Sequence, residues 1–196
     1  RNLSLKRRIV ATFDDNKYLC TNTLRIGILK NELFNLRYIL SVINSNLINF
    51  LFLKQFLNKD IYSFQLQQIP IKEILLENQQ PFVQKADEML FLNKELQEVL
   101  GKFQRALQRE FSLETLSKKL LNWYELSFAE FLKELTKAKI NLTLSQKAEW
   151  EDYFLAEQQK AVSIKSKIDQ TDKEIDQMVY NLYGLTKEEI EIVESN

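Results

Sequence analysis

PFVQKADEMLFLNKELQEVLGKFQRALQREF, residues 81–111, is the stretch whose reading decides the fold. Phe82, Ala86, Met89, Asn93, Leu96, Leu100, Phe103 and Leu107 recur at spacings of four, three, four and three. That period lays one mainly apolar stripe along a face of an α-helix. Pro81 suits the first helical turn, where its missing N–H has no partner to lose. Gly101 sits inside the helix at some cost, which points to a close approach of another backbone. A second stripe of the same spacing runs through Trp150, Phe154, Glu157, Ala161, Ile164, Ile168, Thr171, Ile175, Met178 and Leu182. Thr143 with Gln146 forms a capping box ahead of it and Gly184 a stop behind it, so the pattern predicts a helix over 144–183. At the usual rise the two helices are roughly 45 and 58 Å long. Each stripe requires burial and the residues between them can turn the chain back. An antiparallel pair in a coiled-coil-like bundle is therefore expected. Asn93, Glu157 and Thr171 within the stripes either set register or mark surface breaks.

Shorter elements surround this pair. Ser112 is read as the cap of a helix through Trp123. Ser127 with Glu130 and Thr186 with Glu189 are further capping boxes, opening helices to about Lys139 and Glu194. Upstream, Leu36, Ile39, Leu40 and Ile43 have helical spacing, and Ser45 can cap a second helix carrying Leu47, Ile48 and Leu51. Residues 58–75 read as irregular or extended around Ile69-Pro70-Ile71. The N-terminal end reads as β. Ile9, Ala11 and Phe13 alternate with Arg8, Val10 and Thr12, Asp14-Asp15-Asn16-Lys17 is turn chemistry, and alternation resumes from Tyr18 to Leu29. The expected fold class is mainly α with a small β portion at the N-terminus. The expected division is a β-hairpin-plus-helices domain over 1–75 and a helical scaffold over 76–196.

Composition narrows the chemistry. The chain has 196 residues, 45% hydrophobic and 28% charged, the profile of a globular protein. It has no histidine and one cysteine, Cys20, read as a small strand residue. These counts exclude a disulfide within the chain, a Cys/His zinc site and any His-based nucleophile activation. They also fit a reducing, cytoplasmic setting. No glycine-rich phosphate loop or dinucleotide fingerprint occurs. Asp14-Asp15 reads as a solvated turn, and Glu149, Glu151, Asp152, Glu188 and Glu189 as early-helix acids favoured by the helix dipole. No catalytic residue and no metal ligand is expected. The apolar run from Leu47 to Leu57 is broken by Asn49, Lys54 and Gln55 and falls short of the roughly 20 residues that span a bilayer, so no membrane partner is expected. The sequence opens at Arg1 without a methionine, which suggests a piece of a longer protein.

Charge is unevenly placed. Residues 1–75 carry eleven basic and five acidic side chains, whereas 76–196 carry sixteen and twenty-two. Such a split suggests one part that meets an anion and one that does not. Lys6, Arg7, Arg8, Lys17 and Arg25 cluster in the hairpin region, interleaved with Tyr18, Thr21, Asn22 and Thr23. Basic side chains suit phosphates, while Tyr18 and Asn22 offer bonding groups to base edges. An ordinary solvated strand face is the alternative.

Several phrases occur in a familiar order: Arg8-Ile-Val-Ala-Thr-Phe-Asp14, Asn22-Thr23, Leu36-Arg-Tyr-Ile-Leu-Ser-Val-Ile-Asn-Ser45, Leu47-Ile-Asn-Phe50 and Gln68-Ile-Pro-Ile71. This order resembles the C-terminal specificity region of TaqI-type adenine methyltransferases and Type IIG restriction–modification enzymes. Gln80-Pro-Phe82, Leu92-Asn-Lys-Glu-Leu96 and Ile175-Asp-Gln-Met-Val-Tyr-Asn-Leu-Tyr-Gly-Leu-Thr186 resemble the helical segment that follows in those enzymes. The resemblance implies a non-catalytic target-recognition part that grips double-stranded DNA opposite an upstream methyltransferase domain. The family's Asn-Pro-Pro-Tyr motif and glycine motif for S-adenosylmethionine do not occur in this sequence, so cofactor and catalysis would belong to that domain. The competing reading is a helical interaction module whose helices dimerise or dock a partner, as in a Type I specificity subunit.

Overall fold

The structure, a computed structural model, describes residues 7–15, 24–56 and 60–195. Among these the regular elements are helical: α1 (Leu36–Asn44), α2 (Asn46–Gln55), α3 (Ser63–Leu66), α4 (Leu76–Glu110), α5 (Lys118–Leu121), a 3-10 turn (Trp123–Glu125), α6 (Phe128–Lys137), α7 (Leu144–Tyr183) and α8 (Lys187–Glu194). The chain forms two compact units, one of residues 1–90 with 170–196 and the other of residues 91–169. The C-terminal residues thus belong to the same unit as the N-terminal ones.

In the first unit the core is built from Ile9, Tyr38, Val42, Leu47, Ile48 and Phe52 of the N-terminal part, Phe82 of α4, and Ile175, Val179, Tyr180 and Val193 near the C-terminus. In the second unit Phe103 of α4 is the centre. Its ring stacks on Trp123 at 3.9 Å and meets Phe131 of α6 and Tyr153 and Phe154 of α7 at 5.4–5.9 Å. Phe103, Trp123, Phe131 and Phe154 are all fully buried, each contributing about 1.5–3 kcal/mol by leaving water. In the first unit Lys85 bonds Glu174 at 2.7 Å. Within the second unit α4 and α7 run antiparallel, as Phe103 packs on Phe154 while Phe111 meets Trp150, and most residues of both stripes are buried. Each unit adds further helices to the core that these stripes enter. Asn93 is exposed and Leu92 takes its place in the α4 stripe, while Glu157 and Thr171 are buried within the α7 stripe.

Helix ends explain most of the remaining boundaries. The boxes at Ser127, Thr143 and Thr186 form as the sequence predicts, and α7 covers the residues expected. Helix α4 starts five residues before Pro81. Its first turn is pinned by the buried side chain of Gln79, which donates to the carbonyls of Leu33 and Ile74 and accepts from Asn35 N. Proline therefore falls in the second turn, where it leaves one carbonyl without an intrahelical partner. Ser112 ends α4 instead of opening the next helix. It takes φ +50°, and Leu113 N donates to Gln108 O, so the following helix is capped by Ser117. Lys139 ends α6 in the same way at φ +65°, and Gly184 ends α7 at +74°. Gly101 meets no neighbouring backbone. A Cβ there would touch only the end of the Arg105 side chain.

The expected β portion is not found: among the described residues there is no strand. Residues 9–13 keep the alternation, with Ile9 buried and Val10 82% exposed, and the backbone of Ile9 and Ala11 bonds to side chains of α1 and α2. Residues 25–30 form no regular element and are largely exposed. The hairpin's centre, from Asn16 to Thr23 and including Cys20, lies outside the described residues. No single described helix is long and apolar enough to cross a membrane. Helices α1 and α2 pass such a test only as a pair bent by 64°, and their apolar faces form the core of the first unit.

Two substitutions should raise stability. Lys139→Gly removes a left-handed backbone penalty of about 1 kcal/mol. Gly101→Ala gains up to about 1 kcal/mol of helix propensity, since only a flexible guanidinium must move aside. Urea denaturation of each variant against the parent chain reads both gains, and a loss at Gly101 would show a packing constraint at that position.

Candidate nucleic-acid interface

The basic N-terminal segment is held by asparagines flanking the break between α1 and α2. Ser45 accepts from Ile48 N and starts α2, as its sequence position suggests. On either side, Asn44 and Asn49 face the extended chain. Asn49 Oδ1 accepts from both Arg8 N and Ile9 N at 2.7 Å, while Asn44 accepts from Ala11 N at 2.8 Å and donates to Ala11 O at 3.0 Å. The two side-chain amides thus do for this segment what a neighbouring strand does in a sheet. Asn49 is fully buried, and its own amide N–H bonds donate to Ser45 O and Ile43 O.

Arg7 is fixed by charge. Its Nη1 and Nη2 donate to the two oxygens of Asp172 at 2.8 and 2.6 Å, its Nη2 also reaches Asp176 at 3.4 Å, and its Nε donates to Asn46 Oδ1. Such a bidentate fork is among the stronger polar contacts a protein makes. Asp176 also accepts from Asn46 N at 2.7 Å, so it receives the N-terminus of α2 as well as Arg7. Burial pushes the Asp176 carboxyl up to about 6, against the opposing effects of the Asn46 N–H and the Arg7 guanidinium.

The predicted contact residues separate accordingly. Arg7 is committed to Asp172 and Asp176, a structural task that sequence did not suggest. Arg8 is half-buried, and its Nη2, shut off from solvent, has no acceptor among the described residues. Arg25 is exposed and donates from Nε to Ile61 O at 3.2 Å. Lys6, Lys17, Tyr18 and Asn22 lie outside the described residues. The charge split also changes in the fold. The first unit gathers 14 basic and 15 acidic side chains, because residues 170–196 bring seven carboxylates to it. Positive potential is therefore local to parts of its surface. Residues 24–71 carry five basic and two acidic side chains.

One surface group was not singled out by sequence, since residues 58–75 read as irregular. Tyr62 and Phe64 are 42% and 56% exposed and stack with centroids 5.8 Å apart, next to the Arg25 contact at Ile61. Their spacing of two residues, in a segment poor in apolar periodicity, is the only signal that could have marked them.

Two measurements test the clamp. Asn49→Ala should destabilise the chain by about 2 kcal/mol or more by stranding the N–H groups of Arg8 and Ile9, and Asn49→Asp should not rescue it, because it turns a buried carboxylate against Ser45 O and Ile43 O. The raised Asp176 pKa makes its contribution to stability fully present below the ordinary carboxylate range and lost as pH rises through about 6. Urea midpoints measured between pH 4 and 7 should carry this falling component in the parent chain and lack it in Asp176→Asn.

Two family matches divide the chain close to residue 75. Residues 3–71 match the TaqI-like C-terminal specificity domain, which contains the N-terminal segment, both asparagine-bearing helices and the Tyr62–Phe64 pair. Residues 75–179, more than half of the chain, match a domain of unknown function. No curated protein and no solved structure matches the chain. The chain therefore belongs to the family described as Domain of unknown function (DUF8810), and it carries a TaqI-like C-terminal specificity domain ahead of that match.

Proposed function

We propose that this chain is the sequence-recognition and scaffold part of an adenine-specific DNA methyltransferase or restriction–modification enzyme. The observation that carries the reading is the TaqI-like specificity match over residues 3–71, the same stretch that holds the excess of basic side chains. In this reading residues 1–75 hold double-stranded DNA in register, and a methyltransferase domain of the same protein supplies S-adenosylmethionine and the transfer chemistry. This chain itself performs no catalysis. Lys6, Arg8, Lys17 and Arg25 neutralise phosphates, and Tyr18 and Asn22 contact base edges. Arg7 orders the segment through Asp172 and Asp176. The helical remainder, with its excess of carboxylates, stands off the phosphate backbone and supports the recognition part.

The test is duplex binding by the full-length protein over a salt series. Removing the charge of Lys6, Arg8, Lys17 or Arg25 should weaken binding to all sequences and lower the salt slope by about one unit each. Loss of a base contact at Asn22 should cost roughly 1–3 kcal/mol at one target position. Charge removal at Lys118, Lys133 and Lys147 in the second unit should change neither quantity. An unaltered salt slope across the N-terminal set would make those residues an ordinary solvated surface.

A further inference from the structure

The stacked rings of Tyr62 and Phe64 stay in water although the core of their unit lies close by in sequence, at Phe52 and Leu66. Their placement is enforced. Gln65, buried to 1%, accepts from Tyr62 N at 2.8 Å and fixes the turn that presents both rings. Cationic and neutral polar side chains bond to the same segment. Arg25 Nε is anchored on Ile61 O, the residue before Tyr62. Gln68 donates to Phe64 O at 3.3 Å and accepts from Gln55 at 3.1 Å, so two exposed primary amides sit beside the rings. Asp60 is the one carboxylate in residues 33–71.

A guanidinium, two primary amides and a pair of exposed rings match nucleic acid in chemistry. The cation suits phosphate, the amides offer donors and acceptors to base edges, and the rings offer apolar faces to bases. We propose that Tyr62 and Phe64 form an apolar wedge that packs against an opened base step of duplex DNA, with Arg25 on the adjacent phosphate and Gln55 and Gln68 at the base edges. This rests on the DNA-recognition reading and adds residues to it that the basic cluster did not include. Apolar side chains inserted at a base step require local unstacking, which is easiest where pairing is already weak.

The experiment is fluorescence anisotropy of the full-length protein with two labelled duplexes, one fully paired and one with a central mismatch, over a salt series. The wild-type protein should bind both with a salt-dependent affinity and prefer the mismatched duplex. The double variant Tyr62→Ala, Phe64→Ala should lose affinity by about 10-fold or more and lose the preference, with the salt slope unchanged. Tyr62→Phe should retain both. Arg25→Ala should instead lower the salt slope by about one unit. If the double variant binds both duplexes like the wild type, the wedge is overturned and the DNA-recognition reading stands. If the wild-type protein shows no salt-dependent DNA binding, both fall. A binding loss that comes with a lowered melting temperature, and that Tyr62→Phe shares, marks the rings as structural and overturns the wedge.

Discussion

The segment from Arg7 to Ala11 needs acceptors for its backbone N–H groups, and in the first unit Asn44 and Asn49 supply them to Arg8, Ile9 and Ala11. A buried N–H without a partner costs roughly 1–3 kcal/mol, so the segment from Arg7 to Ala11 can lie against the helices only because these amides face it. That seat has two consequences. Ile9 is delivered to the core beside Ile48 and Phe52, and Arg7 is delivered to Asp172 and Asp176. Asp176 is 4% exposed, and a lone carboxylate there would be strongly disfavoured; it is tolerated because Asn46 N and Arg7 converge on it. The break in the chain at Asn44-Ser45-Asn46 is thus the point where helix capping, segment docking and closure of the chain ends coincide.

This closure changes what the charge distribution means. Read along the sequence, the first 75 residues are strongly basic and the rest acidic. In the fold the acidic C-terminal stretch returns to the basic stretch and neutralises part of it, Arg7 most directly. Attraction to a polyanion must then come from the side chains left facing water, among them Arg25, and from neutral groups placed beside them. An interface of this kind gains more of its selectivity from stacking and base-edge contacts than one driven by net charge alone.

The two long helices were legible because a stripe at four-three spacing has few other physical interpretations, and because Thr143 and Gly184 punctuate α7 with side-chain chemistry that acts within a few residues. The capping boxes at Ser127 and Thr186 and the Ser45 cap were legible for the same reason: each is a local interaction. The start of α4 was not, because it depends on Gln79 reaching Leu33 and Asn35 more than forty residues away. Ser112 was misread because a serine favours helix starts on average, whereas here the C-terminal turn of α4 forces it into a left-handed backbone.

The sequence by itself determined the two long helices and the capped helix starts at Ser45, Ser127, Thr143 and Thr186, which faces of α4 and α7 are apolar, that alternate side chains of residues 9–13 point inward, and the family order of the N-terminal phrases. All of these follow from periodicity or from contacts within a turn. Tertiary structure alone decided that Ile9 and Ala11 bond to asparagine side chains, that Arg7 is a tether, and that Tyr62 and Phe64 lie next to the Arg25 contact at Ile61. The hydrogen bonds among these outcomes join residues 33 to 169 positions apart, and an acceptor at such a distance leaves no periodic trace in the chain.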